Sequence, residues 1–388
     1  MTLKNYIFKN LWLQVVISLL LGLAVGLALG DDVGIGVDDD TLSSLSSYLK
    51  IPANIFLSLI MMIIVPLIFA SIVVAITNLG AKEKMRTLGL GIGVYFVITT
   101  TISILVAVLL ASIIAPGSIL DLTSLQEAHD ISEEDLKVTE GFDIEDIPNA
   151  VSNIIPRNPI SSYLEGQMFS ILIMAVIVGL AMAALPKEST KPLLDLLESV
   201  QKITLHILII SMKIVPFAVF GLIIGMVATV GIGTMVGLGV YMVTVVLGLG
   251  IMLLVYALIL KFVAKRSISA TFSKFRNPQT LAFSTASSMA TMPVTLKTAE
   301  EDLKVDPKVS KFVIPLGTTV NMDGTALYQV IAVFFLAQLF AIELSMISIL
   351  VIIITSLLAS IGTPAVPGAG VIVLSTILIT VGIPPVGI

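Results

Sequence analysis

The sequence contains no cysteine, two histidines, one tryptophan and few charged residues. Without cysteine the chain forms no disulfide, uses no thiolate nucleophile and binds no metal through sulfur. Charged residues make up 12% of the 388 residues, whereas soluble domains carry roughly 25%. Hydrophobic residues make up 57%, and the mean hydropathy is +1.08. The composition therefore predicts an all-α polytopic membrane protein that forms one domain over residues 1–388 and contacts membrane lipid.

The net charge of -5 comes mostly from two acidic segments, residues 31–40 and 127–145. No cluster of basic residues forms a surface for nucleic acid, so nucleic acid is excluded as a partner. Lysine and arginine recur in the short segments that connect the apolar intervals. The positive-inside rule places those segments, together with the N-terminus, in the cytoplasm of a multi-pass protein of the cell membrane.

Intervals free of charge locate the predicted spans, because a charge at the centre of a spanning helix is costly. The run at residues 11–29 could be a signal peptide, but no small-residue cleavage pattern follows it, so we interpret it as the first span. The interval between Lys213 and Lys261 is long enough for two helices. We expect them to divide at residues 231–233, where two glycines favour a turn.

Two segments in the C-terminal half are unsuited to lipid-facing helices. Residues 279–295 (QTLAFSTASSMATMPVT) are uncharged and rich in serine and threonine around Pro293, and residues 360–370 (SIGTPAVPGAG) hold two prolines and three glycines. Irregular backbone at membrane depth is tolerated where protein buries it or where it lines a cavity. Paired interrupted segments of this kind indicate re-entrant hairpins beside a transporter binding site. An ordinary kinked helix is the alternative for each segment.

Asp323 lies between these segments and is the only charged residue between Lys311 and Glu343. An ionisable side chain at this depth indicates a functional site. The neighbouring side chains of Asn321, Thr318, Thr319 and Thr325 add the hard oxygen ligands that suit sodium. Pairing of Asp323 with a lysine or arginine is the alternative, but no basic residue occurs in a predicted span.

Taken together, NMDGTALYQ (321–329), SIGTPAVPGAG, STASSMATMPVT (284–295), IIPRNP (154–159) and residues 300–317 resemble the dicarboxylate/amino acid:cation symporter family of glutamate transporters. The resemblance implies eight transmembrane helices, two re-entrant helical hairpins and a homotrimer. It also implies sodium-coupled secondary active symport of an acidic amino acid or dicarboxylate, such as glutamate or aspartate, by an elevator-type alternating-access mechanism. Sodium is then the transported coupling ion.

The resemblance divides the chain into scaffold and transport elements. Scaffold elements fall mainly within residues 1–80 and 116–230, and transport elements mainly within 81–115 and 231–388. The re-entrant hairpins fall at about 267–298 and 345–380.

The same resemblance assigns site residues by position. Substrate contacts fall on Ser287, Ser288 and Thr325 and on the backbone of Val366 and Gly370. The sodium contacts fall on Thr99, Thr100, Gly317, Thr319, Asn321, Met322, Asp323, Ser360, Ile361 and Thr363.

The chain also departs from the family pattern. Ala286 stands where archaeal aspartate transporters carry arginine, Met289 replaces a common serine, and Pro364 and Ala365 replace a more flexible pair. Gln329 occupies the position of a glutamate linked to proton coupling in animal members. The family's last helix, which carries its substrate-binding aspartate and arginine, would begin beyond Ile388, so we expect this chain to be a fragment of a longer protein.

Three other functions compete with acidic symport. A sodium-coupled neutral amino acid carrier of the same fold would differ at the substrate-binding arginine of the last helix. An intramembrane enzyme would need a metal-binding triad or a nucleophile with a base, and the sequence contains neither an H-E-x-x-H motif nor cysteine. A passive channel would need a continuous polar pore. We therefore expect a carrier and no enzyme.

Overall fold

The computed structural model describes residues 11–30, 39–79, 83–120, 158, 160, 168–230, 232–363, 365 and 368–384. Within these residues the secondary structure is helical and no strand forms. The predicted cytoplasmic N-terminus, most of both acidic segments and most of the IIPRNP motif lie outside the described residues.

The first half of the chain forms seven α-helices and one short 3₁₀ helix in the described residues. They are α1 (Leu11–Leu29), α2 (Asp39–Leu49), α3 (Ile51–Leu79), α4 (Glu83–Ile114), the 3₁₀ helix (Pro116–Ile119), α5 (Met168–Ala184), α6 (Lys187–Ser211) and α7 (Val215–Val230).

The described residues of the second half form eight α-helices and one π-helical turn. They are α8 (Ile232–Phe262), α9 (Ile268–Lys274), α10 (Arg276–Thr285), α11 (Ser288–Lys297), the π turn (Thr298–Asp302), α12 (Pro307–Val320), α13 (Asp323–Leu339), α14 (Met346–Gly362) and α15 (Ala369–Thr380).

The helix boundaries agree with several predictions from the sequence. α7 ends at Val230 and α8 begins at Ile232, where the two glycines predicted a division into two helices. The serine-rich segment breaks between α10 and α11, and the proline- and glycine-rich segment breaks between α14 and α15. A further break separates α12 from α13 at Asn321 and Met322, next to Asp323.

Four described segments are long and apolar enough to cross a bilayer. They are Ser44–Val74, Gly91–Ile119, Val236–Phe262 and Pro307–Leu339. A fifth results if Lys187–Ser211 and Val215–Ala228, which meet at a bend of 50°, form one span. The protein is therefore a helical membrane protein, whereas the count of eight spans and the re-entrant course of the two broken segments stay predictions.

The helices pack in two groups. In the first group α7 packs along α1, and α3 packs between α5 and α6. Glycines permit the close approach of α1 to α7: a Cβ added at Gly26 would lie 2.7 Å from the Cβ of Val227. Small residues at helix interfaces allow this backbone approach in membranes, where packing replaces much of the hydrophobic driving force.

The second group surrounds α13, which contacts α4, α8, α14 and α15. Most of α13 is buried, and the side chains of Leu327, Val330, Ile331 and Val333 are fully buried. A helix that is apolar on every side belongs in the centre of a bundle. As a consequence Asp323, the first residue of this central helix, lies inside the protein.

The end of α4 is fixed to α13 by a glutamine. Gln338 donates from Nε2 to the main-chain oxygen of Ala111 at 2.9 Å and accepts from the main-chain nitrogen of Gly117 at 3.0 Å. At Gly117 the two backbones nearly touch, because an added Cβ would lie 2.0 Å from the main-chain oxygen of Phe335. This contact sets the register of α4 against α13, and thereby of Thr100 against Asp323.

We predict that Gly117→Ala destabilises the protein by about 3 kcal/mol or more, because the methyl group meets rigid backbone and forces the 3₁₀ helix away from α13. The measurement is the Tm in detergent. Gly250→Ala is the matched control, since no atom lies within 4 Å of a Cβ added there on α8. An equal Tm for the two variants would contradict the close approach.

Candidate functional site

A cavity of about 810 Å³ lies between α8, the break from α12 to α13, and the two broken helical segments. It is lined by Tyr241, Met242, Val245, Val246, Leu249, Tyr256, Ala282, Ala286, Ser288, Asn321, Met322, Asp323, Gly324, Thr325, Tyr328, Thr363, Ala365 and Gly370. Asp323 is the only charged residue among these lining residues. The cavity therefore carries negative charge without a basic side chain to offset it.

Asp323 is 5% exposed, and neutral groups occupy both of its carboxylate oxygens. The Thr100 hydroxyl donates to Oδ1 at 2.6 Å, and the Tyr256 hydroxyl donates to Oδ2. The Ser103 hydroxyl donates to the main-chain oxygen of Asp323 at 2.7 Å. Hydrogen bonds thus satisfy the buried carboxylate and leave its negative charge in place. The described residues give no support to the alternative, in which Asp323 pairs with a lysine or arginine.

The helix break brings a second polar side chain beside Asp323. Asn321 and Met322 have non-helical backbone angles, and the Asn321 nitrogen donates to the main-chain oxygen of Gly317 at 3.0 Å. The Thr99 hydroxyl lies 3.4 Å from Oδ1 of Asn321 and donates at 3.1 Å to the main-chain oxygen of Phe96. Thr99 and Thr100, which are consecutive in α4, therefore contact Asn321 and Asp323 at the break between α12 and α13.

The two broken helical segments meet at their connections. The Ser287 hydroxyl donates at 3.0 Å to the main-chain oxygen of Ala365, and the Met289 nitrogen approaches the same oxygen at 3.3 Å. Ser287 also caps α11 by accepting from the Ala290 nitrogen at 3.2 Å. Ser287 therefore holds the connections together, whereas Ser288, the next residue, lines the cavity.

One wall of the cavity is formed where α13 meets the start of α15. A Cβ added at Gly370 would lie 1.9 Å from the Tyr328 hydroxyl and 3.1 Å from Cγ2 of Thr325. Gln329 is fully buried and donates from Nε2 to the main-chain oxygen of Gly370 at 2.8 Å. Only glycine at position 370 permits this approach of α15 to α13.

The remaining predicted sodium contacts are distributed differently. Met322 and Thr363 line the cavity, and the Thr363 hydroxyl donates to the main-chain oxygen of Ala359 at 2.7 Å. Ser360 is fully buried and donates to the main-chain oxygen of Leu357 at 2.8 Å. The side chains of Thr319 and Ile361 lie outside the described residues, as does the whole of Val366, a predicted substrate contact.

The structure brings some of the predicted site residues together in two places. At the first place Thr100 contacts Asp323 and Thr99 contacts Asn321. At the second place Thr325 lies next to Gly370 in the cavity wall. No trio of histidine, cysteine, aspartate or glutamate suited to a metal occurs in the described part of the chain. The donor set around Asp323 is one carboxylate with amide, hydroxyl and main-chain oxygens, which suits a hard cation.

Sequence reasoning missed Ser103, Tyr256 and Tyr328. Ser103 follows Thr100 by three residues on α4, so helical periodicity places both on one face and offers a signal that could have found it. Tyr328 follows Thr325 on α13 by the same spacing. Tyr256 lies in an uncharged span, where a buried tyrosine hydroxyl normally needs a hydrogen-bond partner. Its partner is 67 residues away in sequence, so packing alone reveals the pair.

Comparison with known proteins agrees with the resemblance drawn from the motifs. The model of the sodium:dicarboxylate symporter family matches residues 11–388. The chain is 32% identical over 345 residues to the proton/sodium-glutamate symport protein of Bacillus subtilis (strain 168), an alignment that covers 89% of this chain and 80% of that protein.

Two further relatives carry other names. The chain is 30% identical over 393 residues to the proton/glutamate-aspartate symporter of Escherichia coli (strain K12), covering 100% of this chain and 87% of that protein. It is 30% identical over 349 residues to the C4-dicarboxylate transport protein of Rhodospirillum rubrum, covering 88% and 75%. The motifs around Asp323, the two broken segments and these matches agree, and the chain belongs to the sodium:dicarboxylate symporter family.

Proposed function

We propose that this protein is a sodium-coupled secondary symporter of an acidic amino acid or dicarboxylate, and that it is no enzyme. The observation that carries the proposal is the buried carboxylate of Asp323, which faces a cavity without a basic side chain. A charge at membrane depth without a charged partner is costly, and a bound cation offsets that cost. Its relatives are named as symporters and transport proteins.

The first sodium position lies beside Oδ1 of Asp323. The Thr100 hydroxyl contacts Oδ1 itself, and the adjacent Thr99 hydroxyl lies 3.4 Å from the amide oxygen of Asn321, two residues before Asp323. A hydroxyl that donates its hydrogen to the carboxylate still has lone pairs for the ion. Main-chain oxygens at the helix break, including that of Gly317, complete the oxygen shell.

The substrate occupies the cavity next to this ion. The first turns of α11 and α15 contain Ser288 and Gly370, and the main-chain N–H groups there carry about half an elementary positive charge at each helix end. A carboxylate is stabilised at such helix ends. Thr325, opposite Gly370, supplies a hydroxyl for a hydrogen bond to the substrate.

A second sodium ion bridges the closing segments. Met322 and Thr363 line the cavity, Ser360 lies one turn before Thr363, and Thr319 and Ile361 are assigned here by family position alone. An ion shared by α13 and the connection between α14 and α15 favours closure over the substrate. Ion and substrate then bind to one conformation and raise each other's affinity.

Alternating access follows the two packing groups. The first group, α1 to α3 with α5 to α7, supplies the scaffold, and α4 with α8 to α15 forms the transport domain that moves as an elevator within a homotrimer. The two broken segments enter the membrane as re-entrant hairpins of the transport domain. The separate packing of the two groups supports this division.

Reconstitution into liposomes tests the coupling ion and the substrate class together. We expect radiolabelled L-aspartate, L-glutamate or succinate to accumulate when sodium is imposed outside, and an imposed pH gradient in choline chloride to drive no uptake. L-alanine serves as the neutral substrate. Accumulation of L-alanine alone would establish the neutral carrier, and uptake driven by pH alone would overturn sodium coupling.

We predict that Asp323→Asn reduces sodium-driven uptake to background while the protein still inserts and folds. Asparagine keeps the size of the side chain but replaces one acceptor oxygen with an NH2 group and removes the charge that binds the ion. Uptake in liposomes and the elution volume in detergent are the two measurements. Asp195→Asn is the matched control, because Asp195 is exposed and pairs with Lys191 on the surface of α6. Full sodium-driven uptake by Asp323→Asn would contradict the ion site.

We predict that Gly370→Ala raises the substrate KM by about tenfold or more, because the new methyl group would overlap the Tyr328 hydroxyl and displace the start of α15 from Thr325. Removing that hydroxyl relieves the shortest contact and leaves Cζ of residue 328 at 2.9 Å from the methyl group. Tyr328→Phe in the same chain should therefore restore part of the affinity, which a double-mutant cycle measures. Strictly additive effects would show that the two residues do not touch in the substrate-bound protein.

A further inference from the structure

The face of α8 that lines the cavity is mostly apolar. Four of its six lining residues are aliphatic or methionine side chains, and the two polar ones are Tyr241 and Tyr256. Tyr256 follows Leu249 by seven residues, or two helical turns, so both point to the same side. The ring of Tyr241 packs on Phe335, with 5.3 Å between the ring centroids. The Tyr256 hydroxyl instead donates to Asp323.

The two oxygens of Asp323 are held by different helices. Thr100 of α4 contacts Oδ1, and Tyr256 of α8 contacts Oδ2. Ser103 of α4 fixes the main-chain oxygen of the same residue. The carboxylate is therefore fixed both at its backbone and at each of its oxygens, although it borders a cavity of about 810 Å³ in which it could otherwise rotate.

We infer that Tyr256 is a positioning residue that directs Asp323 Oδ1 toward the sodium ion, an inference that rests on the function proposed above. The phenol of α8 holds Oδ2, and Thr100 of α4 contacts Oδ1. With Oδ2 held by α8, Oδ1 stays on the Thr100 hydroxyl, which belongs to the proposed ion site. Without this hydrogen bond the carboxylate must be immobilised when the ion arrives, which lowers sodium affinity.

The chemistry of a phenol suits this task better than that of a basic side chain. A lysine or arginine at position 256 would satisfy the buried carboxylate but would also neutralise its charge and compete with sodium. A tyrosine hydroxyl is a neutral donor with one hydrogen to give. It stabilises the carboxylate while the ion is absent and leaves the full negative charge to attract the cation.

The test measures sodium binding without any substrate, as the rise in Tm of the purified protein on titration with sodium chloride at constant ionic strength in choline chloride. Tyr256→Phe removes one oxygen atom. We expect its half-saturating sodium concentration to rise about three- to tenfold, while its Tm in choline chloride alone stays within a few degrees of the wild type. The maximal rate of L-aspartate uptake at saturating sodium should stay near the wild-type rate.

Tyr241→Phe is the matched control, because it removes the same atom from the same face of α8, and it should leave the half-saturating concentration unchanged. An unchanged or lowered half-saturating concentration in Tyr256→Phe would overturn the positioning role alone. A wild-type Tm that does not respond to sodium would overturn the sodium site itself and the positioning role with it. A loss of maximal rate without a change in sodium dependence would assign Tyr256 to the fold and equally reject the inference.

Discussion

A carboxylate buried inside the helical bundle, with no basic side chain beside it among the described residues, is the constraint on which this structure depends. Asp323 opens the central helix α13, and three hydroxyl groups from α4 and α8 satisfy its oxygens. Hydrogen bonds lower the cost of burial but leave the charge. In the proposed function, the protein gains stability when a cation enters, and a conformational change that completes the cation's oxygen shell becomes dependent on that cation.

The rest of the site follows from how the backbone reaches Asp323. The break at Asn321 and Met322 exposes main-chain groups beside the carboxylate, and the connections at Ser287 and Ala365 close over the same cavity. Backbone that leaves a helix inside a membrane needs partners other than lipid. Here each connection has the other connection and the cavity as its partners. The non-helical segments, which cost the most free energy to bury, are therefore also the segments that a ligand in the cavity can contact.

The sequence was most informative at residues that are unusual in an apolar helix. The ion site was predicted from Asp323 in an apolar interval. The helix breaks were predicted from the serine, proline and glycine clusters on either side of it. Thr99 and Thr100 came from family resemblance, because two threonines in an apolar helix carry no distinctive signal. The roles of Tyr256 and Gln338 could not be predicted. Neither residue is unusual for its helix, and each gains its role from a hydrogen-bond partner far away in sequence.

The most direct measurement is a pair of high-resolution structures of the protein in a lipid bilayer, one in sodium chloride and one in choline chloride. We predict an ion-sized density in sodium within coordination distance of Asp323 Oδ1 and the hydroxyl of Thr100, with the Tyr256 hydroxyl still on Oδ2. The density should be absent in choline. Identical maps around Asp323 in the two salts, while sodium drives uptake by the same preparation, would contradict it.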